Sequence, residues 1–148
     1  MLRQKTIGII TFQREGQRIR YLLLHHEGEY WNFPKGRQDG LETELDTALR
    51  ELKEEAGISK VKIIEGFHDE YDYDFDTEIS NGEKEKIYKK AIFFLGEVVD
   101  QPIKISDEHI DYGWFDYETA NKRLFYQEGR DSLKRAHQFI LKNQDFVL

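Results

Sequence analysis

The order of apolar patterns along this chain predicts an α/β domain, a mixed sheet with helices layered against it. Three observations predict it. The runs Thr6 to Phe12 and Ile19 to Leu24 are rich in β-branched and aliphatic residues on either side of a Gly16 turn. From Thr43 to Ala56 no Gly or Pro interrupts a helical stripe of Leu45, Ala48, Leu49, Leu52 and Ala56. Strand-like runs then resume, and apolar residues at helical spacing close the chain.

Taken in order, the first two runs read as a strand pair. Glu29 to Gly40 carries Pro34 and two glycines and reads as a loop with tight turns. It feeds the helix from Thr43 to Ala56, which Gly57 ends as a C-cap. Val61 to Glu65, Tyr71 to Phe75 and Ile87 to Val99 read as further strands, the last two separated by a turn at Asn81-Gly82. Tyr112 to Phe115 reads as one more short strand, and Glu118 to Leu124 and Ser132 to Leu141 as helices. The second of these places Leu133, Ala136, Phe139 and Ile140 on one face. No internal repeat, linker or low-complexity segment breaks the chain, so one domain is expected over residues 1–148.

Composition narrows the chemistry. No apolar run is long enough to span a bilayer and Met1 to Lys5 lacks the apolar stretch of a signal peptide, so a soluble, cytoplasmic protein with no membrane partner is expected. Cysteine is absent, which excludes thiolate metal sites and cysteine nucleophiles. Any metal must be held by oxygen or imidazole, which points to a hard cation. The formal charge of -7 argues against a broad footprint on nucleic acid, so no stable nucleic-acid partner is expected. A small anionic substrate would need a local basic patch or bridging metal ions.

At 100° per residue Glu51, Glu54 and Glu55 fall within an arc of about 100°, away from the apolar stripe centred near Leu52. The helix can therefore bury one side and present three carboxylates on another. Like charges at these spacings cost a few tenths of a kcal/mol per pair unless a cation offsets them. Oxygen-only ligation selects magnesium or manganese. Read alone, in a chain that is 34% charged, the cluster is more readily a solvated acidic face than a metal site.

The spacing back to Gly36 distinguishes the two readings. Gly36, Glu42, Arg50-Glu51-Leu52, Glu54-Glu55 and Gly57-Ile58 reproduce the pattern G-x5-E-x7-R-E-U-x-E-E-x-G-U, with U a bulky aliphatic residue. In these residues the chain resembles the Nudix hydrolases at every fixed position of their box, here residues 36–58. The resemblance implies the Nudix fold, an α/β/α sandwich with a mixed sheet between helices, and metal-dependent attack of water on a phosphoanhydride. It implies that Glu51, Glu54 and Glu55 hold Mg2+ or Mn2+ and that one of them doubles as general base. Gly36 is similar to the glycine whose tight turn lets a main-chain carbonyl join the metal shell, and Glu42 to the glutamate that supports loop and helix. Arg50, four residues before Glu54, is placed to pair with and orient it.

The flanks bear on substrate. Trp31-Asn32-Phe33-Pro34-Lys35-Gly36 resembles the W-x-x-P-K-G run of dinucleoside polyphosphate hydrolases, and Ser106-Asp107-Glu108-His109 with Tyr112 and Trp114 resembles their S-x-E-H-x-x-Y-x-W segment. Ala136 to Ile140 resembles their C-terminal helix. The resemblance implies a nucleoside polyphosphate substrate, foremost diadenosine tetraphosphate cleaved to ATP and AMP, with Glu108 as an extra metal ligand or base. Lys35 and Arg37 beside the metal loop are candidate phosphate contacts. Strand alternation puts Lys84, Lys86, Tyr88 and Lys90 on one side, with Lys89 nearby, so Lys86, Tyr88 and Lys90 are further candidates. His109 is a candidate phosphate donor. Tyr73 is the leading candidate to stack on a base, among Tyr71, Tyr88, Phe93 and Tyr112. An RNA 5′ pyrophosphohydrolase shares the same box, and a non-catalytic nucleotide-binding module on the same fold is the alternative of another class.

Overall fold

The first strand has apolar residues at both parities, and it lies at the centre of the sheet. The computed structural model describes residues 2–143. In it β1 (Leu2–Glu15), β2 (Arg18–His25), β3 (Trp31–Asn32), β4 (Lys35–Arg37), β5 (Lys62–Glu78), β6 (Lys84–Glu97) and β7 (Asp111–Phe115) form one sheet in the order β3-β2-β1-β6-β5, with β4 against β1 and β7 against β2. Only β1 and β6 run parallel among the named pairs, so the sheet is mixed.

Alternation along β1 and β2 divides the core into two layers. Ile7, Ile9, Leu22, Leu24 and Ile92 face Ala48, Leu52 and Ala56 of α1 (Glu44–Ala56). Ile10, Phe12, Tyr21, Leu23 and Phe93 face the other way, onto Ala120 of α2 (Tyr117–Arg123) and Leu133, Ala136 and Ile140 of α3 (Gln127–Lys142). This is the expected α/β/α sandwich. No described helix is long and apolar enough to cross a membrane.

Helix α1 begins where Thr43 accepts from the Asp46 amide at 3.1 Å. It ends at Gly57, whose φ of 70° is left-handed and whose N–H reaches the Lys53 carbonyl. Three expectations are corrected. The loop from Glu29 to Gly40 contains β3 and β4, too short to show alternation. The runs Val61 to Glu65 and Tyr71 to Phe75 belong to one strand, β5, whose register shifts between Ile63 and His68 around Gly66 at φ 93°. The last helix begins at Gln127 rather than Ser132; its first turn, Gln127-Glu128-Gly129-Arg130, carries no apolar residue by which periodicity could find it.

Asp69 ties α3 to β5. Its carboxylate accepts from the buried Ser132 hydroxyl at 2.6 Å and from Arg135 Nε and Nη2, both at 2.8 Å. Arg135 is half-exposed, so most of the stabilisation lies in satisfying Ser132. Asp69→Ala should therefore cost about 2 kcal/mol, read in a thermal melt as a drop in Tm of roughly 5 °C.

Candidate active site

The geometry of the site starts from Arg50. Its Nε donates to Glu42 Oε2 at 2.7 Å and its Nη2 to Glu42 Oε1 at 3.0 Å, a bidentate pair across the start of the helix. Nη2 also donates to the Arg37 carbonyl at 2.8 Å, and Nη1 to Glu51 Oε1 at 2.9 Å and Glu54 Oε2 at 3.1 Å. The expected pairing with Glu54 is thus one part of a wider clamp. It joins β4, the loop and α1.

Glu42 anchors that clamp from the loop side, accepting also from the Asp39 amide at 2.9 Å and the Thr47 hydroxyl at 3.1 Å. The Arg50 hydrogen bonds, then the Asp39 amide, hold its carboxyl down to about 2 from an ordinary 4.5.

Gly36 meets a different requirement from the one its sequence context implies. It is absent from the positive-φ residues, so no left-handed turn needs it. A Cβ there would stand 1.9 Å from the Glu51 carboxyl carbon. The missing side chain is what lets Glu51 lie against β4.

Glu55 is as enclosed as Glu51, each side chain 13% exposed. The Lys35 amide donates to its Oε1 at 2.8 Å, and the buried His109 Nε2 stands 3.7 Å from its Oε2. Burial pushes its carboxyl up to about 7, and the charges of Glu51 and Glu108 add to the shift. Burial also raises Glu51, against the opposing effect of Arg50. Glu54 remains exposed.

The segment carrying Glu108 and His109 is pinned beside the end of α1, where Lys104 N–H donates to the Ala56 carbonyl and Ser106 N–H to that of Glu55. Glu108 is exposed and acts on Glu55 by charge. His109 is buried and differs from the expected open phosphate donor. Its Nδ1 pairs with the Ser106 hydroxyl at 2.8 Å, and burial lowers its pKa.

The carboxylates suit a hard divalent cation on one physical ground. Two carboxylates that burial pushes up stand with exposed Glu54, and Glu108 acts on Glu55, an oxygen-only set whose mutual repulsion such a cation relieves. Among the described residues no three His, Asp or Glu side chains already stand as a metal-holding group. Glu51 and Glu54 are both engaged by Arg50.

Register decides which face each basic residue takes. Gly36 pairs with Ile7, so its α-carbon faces α1, whereas Lys35 and Arg37 pair with Gly8 and Thr6 and point to the opposite face. Gln4 of that same parity pairs with Lys89, which in turn pairs with Tyr73. Lys35, Arg37, Lys89 and Tyr73 therefore share one face. Burial, then the charges of Lys35 and Arg37, hold the Lys89 ammonium down to about 8. Lys86, Tyr88 and Lys90 lie at the other parity, on the α1 side, opposite Asp76, Asp74 and Asp72. Their side chains take the opposite parity from Tyr73, although Tyr88 and Lys90 line one surface depression together with Tyr73 and Lys89.

Beside Tyr73 further aromatic rings converge. Tyr73 lies 5.3 Å from Tyr126 between ring centroids, Tyr126 lies 5.8 Å from Tyr30, and Tyr30 lies 5.5 Å from Phe125. Among the other aromatic candidates, Phe93 is fully buried and Tyr112 stands on β7, beyond β2. Sequence reasoning alone does not single out Lys89, Tyr30, Phe125 or Tyr126. Alternation separates Lys89 from Lys86 and Lys90 without saying which set faces a cleft, and the rings come from loops and helix ends with no shared motif.

A layered sheet with this loop, helix and carboxylate clamp defines a class of protein, and the NUDIX domain family matches residues 2–136. The chain belongs to that family. More particularly, it is 34% identical over 148 residues to the asymmetrical bis(5′-nucleosyl)-tetraphosphatase of Mus musculus, covering 92% of this chain and 95% of that one. It is 30% identical over 154 residues to the RNA pyrophosphohydrolase of Bartonella bacilliformis, covering 92% and 91% respectively. A solved binary complex of an Ap4A hydrolase from C. elegans superposes with a TM-score of 0.79 at 28% identity, covering 94% of this chain and 98% of that one.

Two outcomes are expected. Gly36→Ala should displace Glu51 or β4 and lower turnover about 100-fold, measured as kcat with the melt recorded alongside. The stabilisation from Glu42 is complete above about pH 4.5 and is lost as the pH falls toward 2, because the unfolded carboxyl takes up its proton first. Melts at pH 6 and pH 3 should therefore show a smaller acid loss of Tm in Glu42→Gln than in the parent.

Proposed function

We propose that this chain hydrolyses a phosphoanhydride of a nucleoside polyphosphate, foremost diadenosine tetraphosphate, to give ATP and AMP. The observation that carries the reading is the position of β4. Gly36 admits Glu51 on the α1 face, while Lys35 and Arg37 project toward Lys89 and Tyr73 on the other. The carboxylates and a cationic, aromatic cleft thus meet across one three-residue strand. The likeness to the mouse tetraphosphatase over nearly its whole length supports the same substrate.

In this proposal Glu51, Glu54 and Glu55, with Glu108 and the Gly36 main chain beside them, hold Mg2+ or Mn2+. When bound, the metal lowers the pKa of the attacking water and offsets charge on the phosphate oxygens. Arg50 positions Glu51 and Glu54 through its grip on Glu42. Lys35, Arg37 and Lys89 bind the polyphosphate, and Tyr73 with Tyr126 and Tyr30 takes a base. His109, buried with its Nε2 3.7 Å from Glu55 Oε2, limits the room around that carboxylate. The oxygen of a water bonds to phosphorus as one of its protons passes to one of the carboxylates, the P–O bond to the bridging oxygen breaks, and the departing nucleotide keeps that oxygen while the other product keeps the oxygen from water.

The test compares diadenosine tetraphosphate with 5′-triphosphorylated RNA, each with Mg2+ and with a chelator. Release of ATP and AMP that stops with the chelator is expected, and Glu54→Gln or Glu55→Gln should lower it at least about 100-fold. Preference for the RNA would transfer the reading to the activity for which the Bartonella relative is named. Tight nucleotide binding without turnover of either substrate would make the chain a binding module.

A further inference from the structure

The aromatic stripe on β5 extends one ring beyond those used above. Phe75 follows Tyr73 on the same face, the two rings stacked at 6.3 Å and 25°. Whereas Tyr73 also contacts Tyr126, Phe75 is 36% exposed, a large fraction for a phenylalanine, with Ile87 its partner across the strand and Leu2 one strand further in the same row. Lys89 Nζ lies 5.9 Å from the centre of the Phe75 ring. The same ammonium feels the charges of Lys35 and Arg37. Lys89 therefore links the cationic edge of the cleft to the outermost ring.

We propose that Phe75, with Lys89 beside it, is an outer platform that stacks the second nucleobase of a dinucleoside polyphosphate, while the inner rings of Tyr30, Tyr73 and Tyr126 take the first. The inference rests on the proposed function and deepens it. A dinucleoside polyphosphate carries two bases at the ends of an anionic chain, and the inner cluster accounts for one. In the sheet, Arg37 shares a row with Ala91 and Tyr71, and Phe75 lies two rows further along, paired with Ile87. At 3.3 Å per residue and 4.8 Å per strand the diagonal from Arg37 to Phe75 is roughly 19 Å. A bridging polyphosphate with a terminal nucleoside reaches that far, and Lys89 lies along the way. An exposed phenylalanine with a cation at its ring suits a base, which offers a flat π-face, joined to a phosphate, which pairs with the ammonium.

The experiment pairs diadenosine tetraphosphate with adenosine 5′-tetraphosphate, which has the same phosphate chain and one base. Phe75→Ala should raise KM for the dinucleotide about fivefold or more, leave its kcat unchanged and move KM for the mononucleotide by less than about twofold. Phe75→Trp should restore the dinucleotide KM. An unchanged dinucleotide KM in Phe75→Ala, or an equal rise for both substrates, overturns the platform. A second readout is independent of turnover: tryptophan fluorescence of the Phe75→Trp variant in chelator, corrected for the parent. Quenching by the dinucleotide and not by the mononucleotide is expected, and equal quenching or none overturns the proposal. Failure of the parent to turn over either substrate would sink the proposed function, and the quenching comparison would still decide the platform.

Discussion

The bidentate grip of Arg50 on Glu42 is the interaction on which the rest of the site depends. A guanidinium is rigid and planar and presents donors on several edges. Two donors hold the loop glutamate, one reaches the Arg37 carbonyl, and Nη1 is shared by Glu51 and Glu54. A lysine ammonium at the same place would be a point charge without this fork. By joining a loop, a strand and a helix, Arg50 fixes the height at which α1 presents its carboxylates beside β4.

That placement brings carboxylates into a partly buried setting, which is unfavourable unless something compensates them. Glu51 is compensated by Arg50 and lies where Gly36 leaves room. Glu55 takes one main-chain N–H from Lys35 and is otherwise held by the fold, and burial pushes its carboxyl up to about 7. The site is thus built at a cost to the isolated protein, the arrangement expected where a cation completes the set. Lys35 joins the two faces of the site, its amide on Glu55 and its side chain at the parity of Arg37 and Lys89. A small displacement of β4 would disturb both at once.

Much of this was legible in the residues. The stripe of Ala48, Leu52 and Ala56 identifies α1 and its buried side because helical periodicity is a local property, and Thr43 and Gly57 mark its ends for equally local reasons. The convergence of Glu51, Glu54 and Glu55 on one arc follows from the same geometry. The two runs that form β5 looked separate because the bulge near Gly66 breaks the alternation by which a strand is read. Segments β3 and β4 were hidden for a simpler reason: a strand of two or three residues has no period.

The sequence by itself determined the layered class of the fold, the acidic arc on α1 and the spacing that ties Gly36 to Gly57, since each depends on neighbours within a few turns of chain. Only the tertiary structure decided why Gly36 must lack a side chain, which lysine of the basic run faces the Tyr73 side of the sheet, and which rings gather beside that tyrosine. These are matters of register and of contacts between distant segments. A shift of one residue turns a side chain to the opposite face of a sheet, so alternation divides Lys89 from Lys86 and Lys90, and the pairing of β6 with β1 and β5 says which side each occupies.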